Sequence, residues 1–179
     1  MIMIFITVRC DINHINNIFI FFIGMNNHHR IDSLNGGKGG KCMHNIKTIG
    51  DQFAHILNGK AQMKHNGISV SLRRSFNVSI HGRPSQTVLP VGISFESLDT
   101  HGNALNLGEI TLLEEEIPKF TKLIIEQGLI VGALHNHWIY TQPSLMYIHI
   151  QSVEPPLAFA RKIAYAFTAL SSYPIPENN

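Results

Sequence analysis

Hydrophobic and polar positions change period along this chain, and the changes divide it into elements. Apolar residues at Ile46, Ile49, Phe53, Ile56 and Leu57 keep a helical spacing, closed by Asn58-Gly59. The period then drops to two. Ile68–Leu72 and Phe76–Ile80 alternate as half-buried strands do, and His81-Gly-Arg-Pro84 ends the second. Val91–Leu98 is a third strand and Ala104–Leu113 a fourth, joined by the turn Asp99–Asn103. Glu114–Gln127 reads as a helix. Its acidic first turn suits the positive end of the helix dipole, Pro118 sits early enough to be tolerated, and Gly128 is a natural stop. Leu129–Leu134 and Leu145–Ile150 are two further apolar strands, connected through Thr141-Gln-Pro-Ser144. Pro155-Pro156 open a last helix, Leu157–Ala169, with Leu157, Ala160, Ile163, Ala164 and Phe167 on one stripe.

The order α-β-β-β-β-α-β-β-α predicts an α+β fold, a single domain with a mainly antiparallel sheet and helices packed on one face. The 179 residues suffice for one core, and the 44% hydrophobic content is ordinary for a globular chain. A formal charge of +2, with no run of Lys or Arg longer than two, gives no nucleic-acid-binding face. The two cysteines, Cys10 and Cys42, build neither a disulfide framework nor a zinc–cysteine spacing. There is no Gly-x-Ser-x-Gly, P-loop or dinucleotide fingerprint.

Residues 1–45 differ from the rest, being dominated by Ile, Asn, Phe and His. Their apolar piece, Ile15–Gly24, is about ten residues, against roughly 20 for a membrane span, so no transmembrane segment is expected. No signal-peptide cleavage site and no convincing lipobox at Cys42 is present, which favours a cytoplasmic location. We expect translation to start at Met43 or Met25, a folded domain over 46–170 and a tail over 171–179. A degenerate export signal and a sticky, disordered tail are the rival readings of the leader.

The chemistry is concentrated between Leu134 and Ile150. His135 and His137, two apart on a strand, point to one face, and a hairpin puts His149 roughly opposite His135 on that face, with Tyr147 beside it. Ile130, Leu134, Met146, Ile148 and Ile150 take the other face, which should sit on the helices. Imidazole suits zinc, copper, iron or nickel, and a three-histidine set leaves a fourth position open. His135, His137 and His149 are therefore the expected ligands of a transition metal such as zinc. The alternatives are histidines that bind a small molecule by hydrogen bonds and histidines that only shape the structure. Glu109 is either a surface carboxylate or a further ligand, a group orienting a ligand histidine, or a base, provided that its strand lies beside Leu129–Asn136. Asn136, Trp138 and Tyr147 are expected to line a ligand pocket, and Tyr140 follows close by. Glu114–Glu116 reads as a helix start only, and Arg73-Arg74 as a plain surface pair, with anion binding as the alternative.

The segment from about Ile46 to Phe167 resembles the LppY/LpqO lipoprotein family, known mainly as a domain of unknown function. The resemblance rests on Gly108–Ile117, on Ile130-Val-Gly-Ala-Leu-His-Asn-His137, on Pro143 and Met146-Tyr-Ile-His149, and on Pro156–Lys162. It implies that His135, Asn136, His137 and His149 occupy the family's motif positions, and it carries an expectation of export to the cell envelope. Glu109 stands where the family more often shows Asp, and Ser144 where a basic residue is usual. Two functions follow: a metal-binding domain with metal-dependent hydrolysis as its reaction, or a non-enzymatic module for a small-molecule or cell-envelope ligand. A partner-binding surface at Trp138 and Tyr140 is a third. No clear general base or substrate signature is present, so enzyme status stays open.

Overall fold

The computed structural model describes residues 39–177. Most of the leader, Met25 included, lies outside the described residues. The chain runs through helix α1 (Gly39–Ile56), strands β1 (Ala61–Lys64), β2 (Gly67–Arg73), β3 (Ser79–Ile80), β4 (Arg83–Pro84), β5 (Pro90–Glu96) and β6 (Ala104–Leu113), then helix α2 (Ile117–Glu126). Strands β7 (Ile130–His135), β8 (Thr141–Gln142) and β9 (Leu145–Glu154), helix α3 (Pro156–Ala166) and strand β10 (Ile175–Pro176) complete it. The α+β architecture holds, with an antiparallel sheet in the order β1-β2-β5-β6-β9-β7 and β10 beside β2. Helix α1 begins upstream of Met43.

One face of this sheet is apolar because alternation puts Ile68, Val70 and Leu72 of β2, Val91, Ile93 and Phe95 of β5, and Ile148 and Ile150 of β9 on the same side. Phe53 of α1 and Leu57 just after its end, Phe120 and Ile124 of α2, and Phe159 and Ile163 of α3 close over them, and all are buried. Phe53 meets Phe95 edge-on, with ring centroids 5.1 Å apart. This is the main core.

The opposite face is not uniformly solvated, as a two-faced reading of the sequence expects. Phe76–Ile80 does not join the main sheet. Only its last two residues form a strand, β3, in a second small sheet with order β4-β3-β8. That sheet lies over one end of the main one, and Val78, Val88, Leu89, Leu113, Leu145 and Tyr147 form a second buried cluster. The histidine-bearing part of the same face stays open.

Two departures bear on the site. Strand β9, not β7, lies beside β6, so β6 and β7 run parallel with β9 inserted between them. The condition set for Glu109, that β6 lie beside β7, is not met, because β9 takes that place in a ten-residue register with β6. The pairing of β7 with β9 also slips between Val131 and Ala133, at Gly132. Such a bulge exchanges faces. Ile130 therefore pairs with Gln151 and is 56% exposed, on the histidine side rather than over the helices. Leu134 keeps the expected face, but β7 is an edge strand and leaves it partly exposed.

The segment after Leu170 is tied in. Ile175 and Pro176 pair with Arg73 and Leu72, and Ser171 donates from both its backbone N–H and its hydroxyl to Glu116.

Candidate metal centre

The site is built by three neighbouring strands. In register, Glu109 of β6 faces His149 of β9, and Thr111 faces Tyr147, which in turn faces His135 of β7. Facing residues share a side of the sheet, so Glu109, His149, Tyr147 and His135 all project from the face away from the helices. His149 sits opposite Ala133 and diagonal to His135, one step from the expected pairing. The diagonal suits long side chains. His135 Nε2 lies 3.0 Å from His137 Nε2 and 3.2 Å from His149 Nε2. The three donor nitrogens all fall within 4.8 Å of one another.

Nitrogens bound to one zinc ion at about 2.0–2.1 Å in tetrahedral geometry lie roughly 3.3 Å apart. The two short separations are close to that requirement, and the third lies within 4.8 Å. All three groups present the same nitrogen, Nε2, to a common point. His135 and His137 are exposed and His149 half-buried, which leaves the outward side of the point open.

Two further residues frame the cluster. The ring of Tyr147 stacks on His137 with centroids 3.9 Å apart and planes 7° from parallel. Tyr147 is not among the residues that line the groove of Asn136 and Trp138. It is buried, and its hydroxyl donates to the Val88 carbonyl at 2.7 Å. Burial, with the nearby Glu109 charge, pushes its phenol up to about 12 against the opposing hydrogen bond with Trp138, so Tyr147 is a neutral donor throughout the ordinary pH range. Glu109 Oε1 lies 3.9 Å from His137 Nδ1. The position across from Glu109 on β5 is Gly92, and a Cβ there would meet nothing within 4 Å, so the carboxylate has room.

Asn136 and Trp138 line a shallow groove of about 390 Å³ with Tyr140, Thr141, Ser144 and Glu114. Trp138, Ile139 and Tyr140 are each more than half exposed. Tyr140 is held in the left-handed region at φ 60°, where non-glycine residues are uncommon. His81, itself at φ 49°, keeps it there. Its N–H donates to the Tyr140 carbonyl at 3.3 Å, and the two rings lie 4.5 Å apart.

Arg74 and Glu116 depart from their sequence reading. Arg74 is fully buried, not a surface residue. It is paired with Glu116 and also donates to the Thr111 carbonyl at 2.8 Å. Burial opposes the Glu116 charge, but Arg74, Ser171 and the Leu113 N–H outweigh it and bring the carboxyl down to about 2. Parity offered the signal: Ile68, Val70, Leu72 and Arg74 share one alternation, so Arg74 continues the buried side of β2.

These observations define an α+β domain that carries a three-histidine cluster on the open face of its sheet. A family model described as Domain of Unknown Function (DUF1259) matches residues 51–169, and the chain belongs to that family. The match includes every residue of the cluster, Glu109 and Tyr147. No curated protein and no solved structure matches the chain. Among the described residues, no helix is long and apolar enough to cross a membrane.

Proposed function

We propose that this domain binds a transition-metal ion such as zinc through Nε2 of His135, His137 and His149. The observation that carries the reading is the convergence of three Nε2 atoms, two pairs of them 3.0 and 3.2 Å apart. Imidazoles gathered this closely need a shared cation or shared protons to offset lone-pair repulsion, and three neutral imidazoles suit a borderline divalent ion. Elemental analysis of purified protein tests it, with close to one equivalent of metal in wild type and none in His137→Ala. Within its family, we place the chain with the LppY/LpqO-like proteins, on the run Leu134-His-Asn-His137 and on His149.

The reaction class that fits this arrangement is metal-dependent hydrolysis. His135, His137 and His149 would hold the ion and leave one position open, and the ion would supply there a Lewis acid for a carbonyl or phosphoryl oxygen and an acidified water as nucleophile. The protein residues supply the rest: Tyr147 fixes the plane of His137, and the open face admits substrate. Chelator-sensitive hydrolysis of p-nitrophenyl acetate or p-nitrophenyl phosphate, lost in His149→Ala, tests the class.

A second reading, a small-molecule or cell-envelope ligand module without catalysis, is favoured by the groove of Asn136, Trp138 and Tyr140. Exposed aromatic rings on a clipped, left-handed backbone are a costly arrangement that a bound ligand would repay. Trp138 is the single tryptophan of the chain, so its fluorescence reports occupancy of the groove directly. A ligand that shifts Trp138 emission equally in the presence and absence of chelator supports this reading over the first.

A further inference from the structure

We infer that Glu109 is a positioning residue for the metal centre: it selects the ring orientation and tautomer of His137, and it is not itself a ligand. The inference rests on the metal-binding reading above and deepens it.

The two nitrogens of His137 face different neighbours. Nε2 faces His135 Nε2 at 3.0 Å, while Nδ1 faces Glu109 Oε1 at 3.9 Å. A histidine that binds metal through Nε2 carries its proton on Nδ1, and a carboxylate next to Nδ1 favours that tautomer. Tyr147 alone cannot make the choice. Its ring lies parallel to His137 within 7°, which fixes the plane, but a half-turn of the imidazole leaves the stack unchanged and exchanges nitrogen for carbon at both edges. Neighbours that distinguish nitrogen from carbon remove this ambiguity, His135 Nε2 at one edge and the Glu109 carboxylate at the other, and of the two only the carboxylate, purely an acceptor, calls for the proton on Nδ1. Among the described residues, Glu109 is the carboxylate paired with a histidine of the cluster.

The surroundings agree. Glu109 is held opposite His149 by the β6–β9 register, beside the space left by Gly92. With its proton on Nδ1, His137 offers an accepting Nε2 to His135, so a single N–H on His135 satisfies the 3.0 Å contact in the metal-free state. Closing the 3.9 Å separation to a hydrogen bond takes about 1 Å of side-chain movement. A cation on Nε2 makes Nδ1–H a stronger donor and favours that closure.

The experiment pairs zinc binding with nitrogen NMR of the metal-free protein, in wild type and Glu109→Gln. An amide can accept from Nδ1–H or donate to a bare Nδ1, so Gln fills the space without selecting a tautomer. We expect His137 to be protonated at Nδ1 in the wild type and mixed in the variant. Zinc affinity should fall about 10–100-fold in the variant, the range for partners that orient a ligand histidine. X-ray absorption of the zinc-loaded forms should show the same set of nitrogen ligands in both, with an unchanged melting temperature of the metal-free proteins. Loss of an oxygen ligand in Glu109→Gln would make Glu109 a direct ligand and overturn the inference. So would unchanged zinc affinity. If the wild type binds no zinc, the metal reading fails by itself. The His137 tautomer in the wild type still decides the positioning role, and protonation at Nε2 would refute it without reference to any variant.

Discussion

The guanidinium of Arg74 meets the carboxylate of Glu116 through two parallel hydrogen bonds, 2.8 Å at Nη1 and 2.7 Å at Nη2, in a site closed to solvent. The pair joins the residue that follows β2 to the start of α2. Ser171 binds the same carboxylate, which brings the C-terminal segment into the lock. Removing one partner leaves the other charged and buried, a loss of about 3–5 kcal/mol. We expect urea unfolding of Arg74→Met or Glu116→Leu to show a loss of that size, and the double variant to recover much of it.

The same pair sets a pH dependence. The Glu116 carboxyl titrates near 2 in the folded protein against an ordinary 4.5, because the Arg74, Ser171 and Leu113 hydrogen bonds outweigh burial. A lowered pKa stabilises the fold above the unfolded value, and this contribution is lost as pH falls through the folded one. The melting temperature should therefore drop between pH 4.5 and 2, and the drop should be shallower in Glu116→Gln. Equal slopes in the two proteins would remove Glu116 from the account.

Metal binding should show itself as stability. A ligand that binds only the folded state at 100 times its dissociation constant adds about 2.7 kcal/mol. For a domain of this size that corresponds to roughly 5–10 °C. We expect zinc to raise the melting temperature by such an amount in wild type and to leave His135→Ala and His149→Ala unmoved. The histidines are on the open face, so each alanine variant should fold.

Tyr147 separates packing from hydrogen bonding. Tyr147→Phe keeps the stack on His137 but leaves the Val88 carbonyl unpaired, a cost of about 1–3 kcal/mol. Its metal content should match the wild type. Tyr147→Ala removes the ring as well, and both stability and zinc affinity should fall. Calorimetry and elemental analysis of the two variants distinguish these outcomes.

Much of this architecture is local and therefore legible in the chain. A strand's alternation follows from backbone geometry, so the shared face of His135 and His137, the buried side of β5 and β6, and the helices that cover them follow from residue order. The boundaries of β6 were legible to the residue, Ala104–Leu113, because a turn and an acidic helix start flank it. The histidine cluster was legible for the same reason, since only parity and one hairpin were needed to place His149 near His135.

Partner choice is not local, and there tertiary structure decided. Which strand lies beside β6 depends on which pairing buries most of both, and β9 satisfies β6 along ten positions where β7 offers six residues. The bulge at Gly132 reversed the face of Ile130, which no fixed period anticipates. Tyr147 and Arg74 became buried only because a second small sheet and the Glu116 carboxylate came to meet them from distant parts of the chain. The sequence by itself determined which side chains share a face. The fold determined what each face meets, because burial is a property of surfaces brought together and not of any one segment.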